Sequence, residues 1–153
     1  MKNELYIAKQ LVEDEKFAEN TSKEGEDIYR NLVERADIGI VIIQDSIVKY
    51  SNSYLAKTWG GKVEDVIGTP FTRYIHPDEI PKLFELYKRR MAGEKVPSTY
   101  ESVLVDKNGE KIYAELKTEV MHYQGRPADF VIIRNIMQQK KAEEYFRKKR
   151  FLW

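Results

Sequence analysis

The sequence predicts an α+β fold in which an antiparallel sheet carries helices on one face. Two short β-branched stretches come first, a block of short helical stretches follows, and three longer strand-like stretches come last. Tight turns join neighbouring strand stretches within each group, as antiparallel pairing allows. A helical stretch flanks this core at each end. The chain of 153 residues is long enough for one such domain with appendages.

Residues 1–25 are predicted to form a helical segment outside the core. Leu5, Ala8 and Val12 share one helical face, and charged residues surround them. So narrow an apolar stripe suits a helix that pairs with a neighbour, because isolated helices of this length are marginally stable in water. We therefore expect a homodimer whose interface includes these three residues.

The core domain is predicted to span residues 26–137, and it opens with a helix over roughly 26–36. The stretches GIVIIQ and IVKYS then form a hairpin across the turn Asp45-Ser46. Two short helices follow, the first of which Gly60-Gly61 end. The stretch HPDEIPKLFELYKRRMAGE predicts the longest helix of the core, with Pro81 in its first turn, where a missing N–H costs little.

Three strands complete the predicted sheet. STYESVLV and KIYAELKTEVMHY flank the turn Asp106–Gly109, in which Asn and Gly accept positive φ angles. Apolar and polar residues alternate over residues 111–123, which predicts one buried and one solvated face. The last strand, through Ile136, runs into a charged helix over residues 138–153 with no glycine, proline or loop between them. Such a junction is expected to pass movement from strand to helix.

The composition argues against several functions. The chain has no cysteine, which excludes disulfides, thiolate catalysis and cysteine-linked chromophores. Its two histidines, His76 and His122, cannot build an imidazole metal site, and neither lies near a plausible nucleophile; His76 is expected to act as a cap or a packing residue. A net charge of +1 gives no general attraction for nucleic acid. We expect no enzyme activity, cofactor, metal or membrane insertion, and a cytoplasmic location.

Four stretches of the chain resemble the PAS domain, a sensory module of signalling proteins. They are ADIGIVIIQDSIVKYSN, EDVIGTPFTRYIHPDE, LVDKNGEKIYAEL and NIMQQKKAEE, and the likeness covers residues 28–144. The resemblance implies a five-stranded antiparallel sheet of order 2-1-5-4-3, with helices covering one face and a cleft between them. Haem-binding members of the family carry a histidine in the long helix, and residues 79–92 contain none.

The implied cleft gives a set of candidate ligand-site residues, although a filled core is the simpler interpretation of most of them. The set comprises Leu55, Trp59, Phe71, Ile75, Phe84, Tyr87, Leu116, Thr118 and Ile132. Tyr87 and Thr118 supply the only hydroxyl groups among them. A small, largely apolar ligand suits this set, whereas a dicarboxylate would need an inward arginine.

The predicted signal exit consists of Arg134, Asn135 and Ile136. In the family, an Asp at the position of Asn135 often pairs with a basic residue and clamps the junction. Because asparagine cannot form an ion pair, Arg134 and Arg126 are expected to lack that partner.

The expected function is a sensory PAS domain that passes a signal through the C-terminal helix to an effector such as a histidine kinase. The alternatives are a stand-alone ligand-binding PAS protein that acts through a separate partner and, more distantly, an enzyme on a similar fold. The basic and aromatic end, FRKKRFLW, would fit a membrane surface, nucleic acid or a helical interface, of which we favour the interface.

Overall fold

The computed structural model describes residues 27–28, 31–32, 35 and 37–151 of the chain. Its strands are β1 (Ile38–Gln44), β2 (Ile47–Ser51), β3 (Thr99–Val105), β4 (Lys111–Tyr123) and β5 (Arg126–Asn135). Its helices are α1 (Ser53–Trp59), α2 (Val63–Val66), α3 (Ile80–Met91) and α4 (Met137–Phe151), with 3-10 turns at Phe71–Tyr74 and Pro77–Glu79. The predicted interface residues Leu5, Ala8 and Val12 lie outside the described residues, and the predicted domain boundaries stay predictions.

The five strands form one antiparallel sheet of order β2-β1-β5-β4-β3, which confirms the predicted fold and strand order. The last strand in the chain, β5, lies at the centre. It pairs with β1, where Ile132 lies opposite Ile40, and with β4, where Val131 lies opposite Thr118. Both edges of β5 are therefore paired with neighbouring strands.

Helices α1, α2 and α3 cover one face of the sheet. The main hydrophobic core lies between these layers, and Val41, Phe71, Leu83, Leu104 and Leu116 are among its buried members. The inner face of the sheet and the helical layer therefore enclose the region in which a cleft was expected.

The other face of the sheet is also apolar, which corrects the expectation of a solvated face. A second buried cluster lies there, formed by Ile40, Ile42, Ala128, Phe130 and Ile132. Even Lys117, on the polar side of the β4 alternation, is only 7% exposed. The central strands β1 and β5 have nearly continuous apolar sequences, which is the pattern of strands buried on both faces.

Local side-chain hydrogen bonds fix the approach to α3. The Nδ1 atom of His76 accepts a hydrogen bond from the backbone N–H of Asp78 at 3.2 Å and so caps the short 3-10 turn before the helix. This confirms that His76 acts as a capping residue. Pro81 lies in the first turn of α3, also as predicted.

Candidate ligand cavity and signal exit

A cavity of about 100 Å³ lies between the inner face of the sheet and the helices. Its lining is mostly apolar and comes from both the sheet and the helical layer, including Val41, Tyr54, Leu55, Trp59, Phe71, Ile75, Leu83, Tyr87, Leu104, Leu116, Val131 and Ile133. For comparison, an apolar cavity of about 150 Å³ in another protein holds benzene. The space therefore suits a ligand of only a few carbon atoms.

Six of the nine candidate residues line this cavity, namely Leu55, Trp59, Phe71, Ile75, Tyr87 and Leu116. Phe84 does not reach it but stacks on Phe71, with ring centroids 6.0 Å apart. Ile132 requires a correction, because its side chain belongs to the cluster on the opposite face of the sheet. Side chains alternate along a strand, so an error of one position exchanges the two faces.

The two hydroxyl groups expected to serve a ligand are both engaged within the protein. The hydroxyl oxygen of Tyr87 accepts a hydrogen bond from the backbone N–H of Ser46 at 3.0 Å. The Thr118 hydroxyl donates to the carbonyl oxygen of Ser98 at 3.3 Å, and Thr118 is not part of the cavity lining. The polar groups that the cavity presents must therefore be sought elsewhere.

A buried ion pair between α3 and β5 supplies those polar groups. Nη1 of Arg90 donates to Oδ2 of Asp129 at 2.8 Å, and the two side chains are 7% and 3% exposed. Both residues line the cavity, together with Tyr100, whose hydroxyl lies 3.4 Å from Nη2 of Arg90. An inward arginine is thus present, contrary to expectation, although Asp129 already balances its charge.

The spacing of α3 contained a signal for Arg90. Leu83, Tyr87 and Arg90 follow each other at four and three residues, and all three are buried. Because Arg90 directly follows Lys88 and Arg89, the sequence suggested instead that it belongs to a solvated, basic end of the helix. Asp129 stands as a single acidic residue in an apolar strand, which is a weaker signal, because the sequence does not say which face it occupies.

Burial dominates the electrostatics of this pair. It raises the pKa of Asp129 to about 6, although the charge and hydrogen bond of Arg90 act in the opposite direction. Burial also raises the pKa of Tyr100 and of Tyr87 above the usual range. The carboxyl of Asp129 therefore titrates close to neutral pH.

This raised pKa predicts a specific dependence of stability on pH. The folded state holds the Asp129 proton more tightly than the unfolded state, so its stabilising effect is complete below the unfolded pKa of 3.8 and is lost as pH rises through about 6. Relative to Asp129→Asn, the parent chain should lose about 2 kcal/mol of unfolding free energy between about pH 4 and pH 7.5. Urea unfolding of both proteins measures this difference, and parallel pH curves would contradict it.

Asp45 provides a control of opposite sign. It pairs with Arg126 at 2.9 Å on the surface, and this hydrogen bond lowers the pKa of the Asp45 carboxyl. The stabilisation from Asp45 is therefore present above its unfolded pKa and is lost as pH falls. Asp45→Asn should change the pH curve in the direction opposite to Asp129→Asn.

The predicted exit is a fixed junction. Only Ile136 separates β5 from α4; it is buried, and its N–H donates to the carbonyl of Tyr113 at 2.9 Å. Oδ1 of Asn135 accepts from the N–H of Met137 at 2.9 Å, in the manner of a helix cap. Nζ of Lys140 lies 2.7 Å from a carboxylate oxygen of Glu101 and ties the first turn of α4 to β3.

Arg126 and Arg134, which lie near opposite ends of β5, have acidic partners other than the family's exit aspartate. Arg134 pairs with Glu115 on β4 at 3.0 Å, and Arg126 pairs with Asp45. Both arginines therefore lack an exit aspartate, as expected, but each pairs with another carboxylate. Asn135 holds the junction through a cap rather than through an ion pair.

The cavity and the exit share one strand. Asp129, Val131, Ile133 and Asn135 alternate along β5, and all four line the cavity. Asn135 is also the residue that caps α4. A molecule in the cavity would therefore lie against the same strand that fixes the start of the helix.

Comparison with known families agrees with this architecture. The sequence profile of the PAS domain family matches residues 37–138. The chain belongs to the PAS domain family. The matched range runs from the residue before β1 to the first turn of α4, so the family likeness covers the sheet, the cavity and the exit. Curated proteins give no significant match to the chain.

Solved structures of PAS domains share the fold. A PAS domain from Desulfitobacterium hafniense is 21% identical, covers 69% of this chain and 98% of its own, and superposes with a TM-score of 0.59. A sensory box histidine kinase/response regulator from Burkholderia thailandensis is 17% identical, with coverages of 80% and 94% and a TM-score of 0.59. The PAS domain of a LuxR-family transcriptional regulator from the same organism, in complex with ethanol, is 18% identical, with coverages of 71% and 96% and a TM-score of 0.54.

None of the helices in the described part of the PAS domain is both long and apolar enough to cross a bilayer. The longest, α4, carries Lys148, Lys149 and Arg150 in its last turn and has exposed side chains along most of its length. Two aromatic residues of α4, Tyr145 and Phe146, are exposed as well.

Proposed function

We propose that this PAS domain is the sensory domain of a signal-transduction protein, in which occupancy of the cavity is passed along β5 into α4 and on to a kinase-type effector. One observation carries the proposal: β5 lines the cavity with four side chains and ends one residue before the helix begins. The domain itself performs no catalysis, since the charged pair in its cavity is mutually neutralised and buried.

The structural likenesses support both parts of this proposal. A sensory box histidine kinase/response regulator contains a domain of the same fold, which favours a kinase-type output. A second domain of this fold is described in complex with ethanol, which favours a small ligand in the cavity. The effector, fused or separate, would contact α4, where the exposed Tyr145 and Phe146 offer apolar surface.

The connecting-helix proposal is tested with a fusion and no ligand. The full chain is joined through α4 to the catalytic part of a histidine kinase, and alanines are inserted after Lys148, one at a time up to about seven, roughly two helical turns. A helix that transmits rotation should make autophosphorylation vary with a period of about 3.5 residues. Activity that does not depend on the number of inserted residues would contradict the proposal.

We further propose that the protein acts as a homodimer through Leu5, Ala8 and Val12. The proposal rests on their spacing in the sequence, since one narrow stripe buries too little area to stabilise a lone helix. Deleting residues 1–24 should shift the molar mass measured by light scattering from dimer toward monomer. A truncated protein that stays fully dimeric would place the interface elsewhere.

A further inference from the structure

The helix α4 presents positive charge that the described part of the domain does not neutralise. Residues 140–150 contain six basic residues against two acidic ones. All side chains from 141 to 150 are exposed. Within the part of the chain that the structure describes, Lys141, Arg147 and Arg150 have no ion-pair partner. This surplus of charge is therefore open to a partner.

The charge surrounds one turn of α4 and lies next to aromatic side chains. Residues 147–150 are four consecutive basic residues, and successive residues of a helix point about 100° apart. Tyr145 and Phe146 precede them and are 56% and 65% exposed. Aromatic side chains exposed beside surplus charge are typical of a protein interface. The surface suits a partner that carries negative charge and some apolar side chains.

A segment with these two properties precedes the sheet. Residues 13–27, the acidic stretch, contain seven acidic and two basic residues. Only Asp27 of the acidic stretch lies among the described residues, so this charge balance is a property of the sequence. Ile28 follows directly and Leu32 lies one helical turn later, and they are 55% and 53% exposed. The two flanking segments of the domain are thus complementary in charge, and both have exposed apolar side chains.

The topology brings both segments to the same end of the sheet. Ile38, the first residue of β1, pairs with Arg134, one residue before the end of β5. Asp27 precedes β1 by about as many residues as Arg147 follows β5. Two domains lying side by side would therefore bring the acidic stretch of one copy next to α4 of the other. The aromatic residues of α4 stay exposed in the single chain, which favours a second copy as the partner.

We propose that α4 of one copy binds the acidic stretch of a second copy, so that a two-fold dimer contains this contact twice. The inference rests on the proposed function, because it adds a contact of stated chemistry to the proposed homodimer. Exposed ion pairs are individually weak and are screened by salt, so the contact depends on many charges together. Raising the NaCl concentration from about 50 mM to about 500 mM should weaken dimerisation of the full chain about tenfold or more.

Two charge-reversed versions of the full chain test the contact. The first has four substitutions in α4, namely Arg147→Glu, Lys148→Glu, Lys149→Glu and Arg150→Glu. The second has four substitutions in the acidic stretch, namely Glu19→Lys, Glu24→Lys, Glu26→Lys and Asp27→Lys. Each chain alone should dimerise about tenfold or more weakly than the parent, because like charges then meet at both contacts. Analytical ultracentrifugation at low salt gives the dissociation constants.

An equimolar mixture of the two chains shows which copy supplies the partner. In the mixed dimer each contact again joins opposite charges, so the affinity should return to about that of the parent. The control chain changes the net charge by the same amount as the reversal of α4, at four exposed lysines elsewhere on the domain: Lys62→Glu, Lys82→Glu, Lys95→Glu and Lys111→Glu. This control should dimerise like the parent.

Four results would overturn the inference: a parent chain that is monomeric at low salt, charge-reversed chains that dimerise as tightly as the parent, a mixture that stays monomeric, or a control that weakens the dimer as much as the reversal of α4. A mixture that stays monomeric while one chain with all eight substitutions dimerises like the parent would place the contact within a single chain.

The failure of this contact can be told apart from the failure of the proposed function. Loss of the dimer on deleting residues 1–24, without any effect of charge reversal, would reject the contact and leave the apolar stripe supported. The alanine insertions in the kinase fusion report separately on signal transmission through α4. The salt dependence of the parent needs no substitution, so it decides the role of charge even if a charge-reversed chain does not fold.

Discussion

Replacing Phe130 by alanine is expected to lower the free energy of unfolding by about 3–5 kcal/mol. The side chain is 0% exposed in the cluster on the outer face of the sheet, and β5 holds it between Ile42 on β1 and Glu119 on β4. Removing the ring leaves a void in the middle of the sheet that neighbours paired on both sides cannot easily close. Urea unfolding followed by circular dichroism measures the change.

Phe146→Ala is the matched control, because it makes the same substitution at a site that is 65% exposed on α4. Its effect should stay within about 0.5 kcal/mol. If the outer face of the sheet were solvated, the two substitutions would have similar small effects. A loss of less than about 1 kcal/mol for Phe130→Ala would show that the outer cluster is not part of the core.

The sequence predicted elements well wherever local chemistry determines them. Turn residues such as Asp106–Gly109 marked the hairpins, and His76, expected to be a cap or a packing residue, is a cap. The strand order came from the family resemblance, and the structure confirms it. These features depend on a few consecutive residues or on a motif, so one sequence contains them.

The burial of the sheet could not be predicted in the same way. The alternation in β4 suggested a solvated face, yet Lys117 on that face is buried and lies opposite Ile132 of β5, which the local pattern of β4 does not reveal. Ile132 was predicted to line the cavity, but its two neighbours in the strand, Val131 and Ile133, line it instead. In a strand that is apolar on both faces, the sequence pattern does not reveal which of the two alternating sets of side chains faces the cavity.

The polar part of the cavity was missed for a related reason. Arg90 and Asp129 are 39 residues apart in sequence and meet only because α3 packs against β5. Charged residues are rarely buried unless they are paired, so each residue alone is most simply read as a surface group. Helical spacing from Leu83 and Tyr87 was the one local signal for Arg90.

Inserting Gly-Gly after Ile136 is expected to abolish signalling and leave the fold intact. The core keeps every side chain, including Ile136 and its hydrogen bond to Tyr113, so the melting temperature should fall by no more than about 5 °C. The insertion moves Met137 away from the side chain of Asn135 and displaces Lys140 from Glu101. Glycine also adds backbone freedom where the junction now has one fixed residue.

Substitutions of Asn135 separate the cap from the covalent connection. Asn135→Ala removes the acceptor for the N–H of Met137 and should weaken the response of the fused kinase without abolishing it. Asn135→Asp keeps the acceptor and adds a negative charge at the start of α4, which is worth about 0.3–1 kcal/mol. That small gain is enough to shift a balanced two-state equilibrium by a few-fold.

An Ala-Ala insertion after Ile136 is the matched control for Gly-Gly, because it adds the same length and keeps the helix stiff. Each insertion is combined with the alanine series after Lys148 in the kinase fusion. With Ala-Ala, the periodic dependence of autophosphorylation should persist and shift by two residues, since each residue rotates a helix by about 100°. With Gly-Gly the periodicity should vanish, because two flexible residues no longer fix the rotation of α4 relative to β5. Equal periodicity in both series would mean that the orientation of α4 is not set by the junction, and that any signal from the cavity leaves the domain by another route.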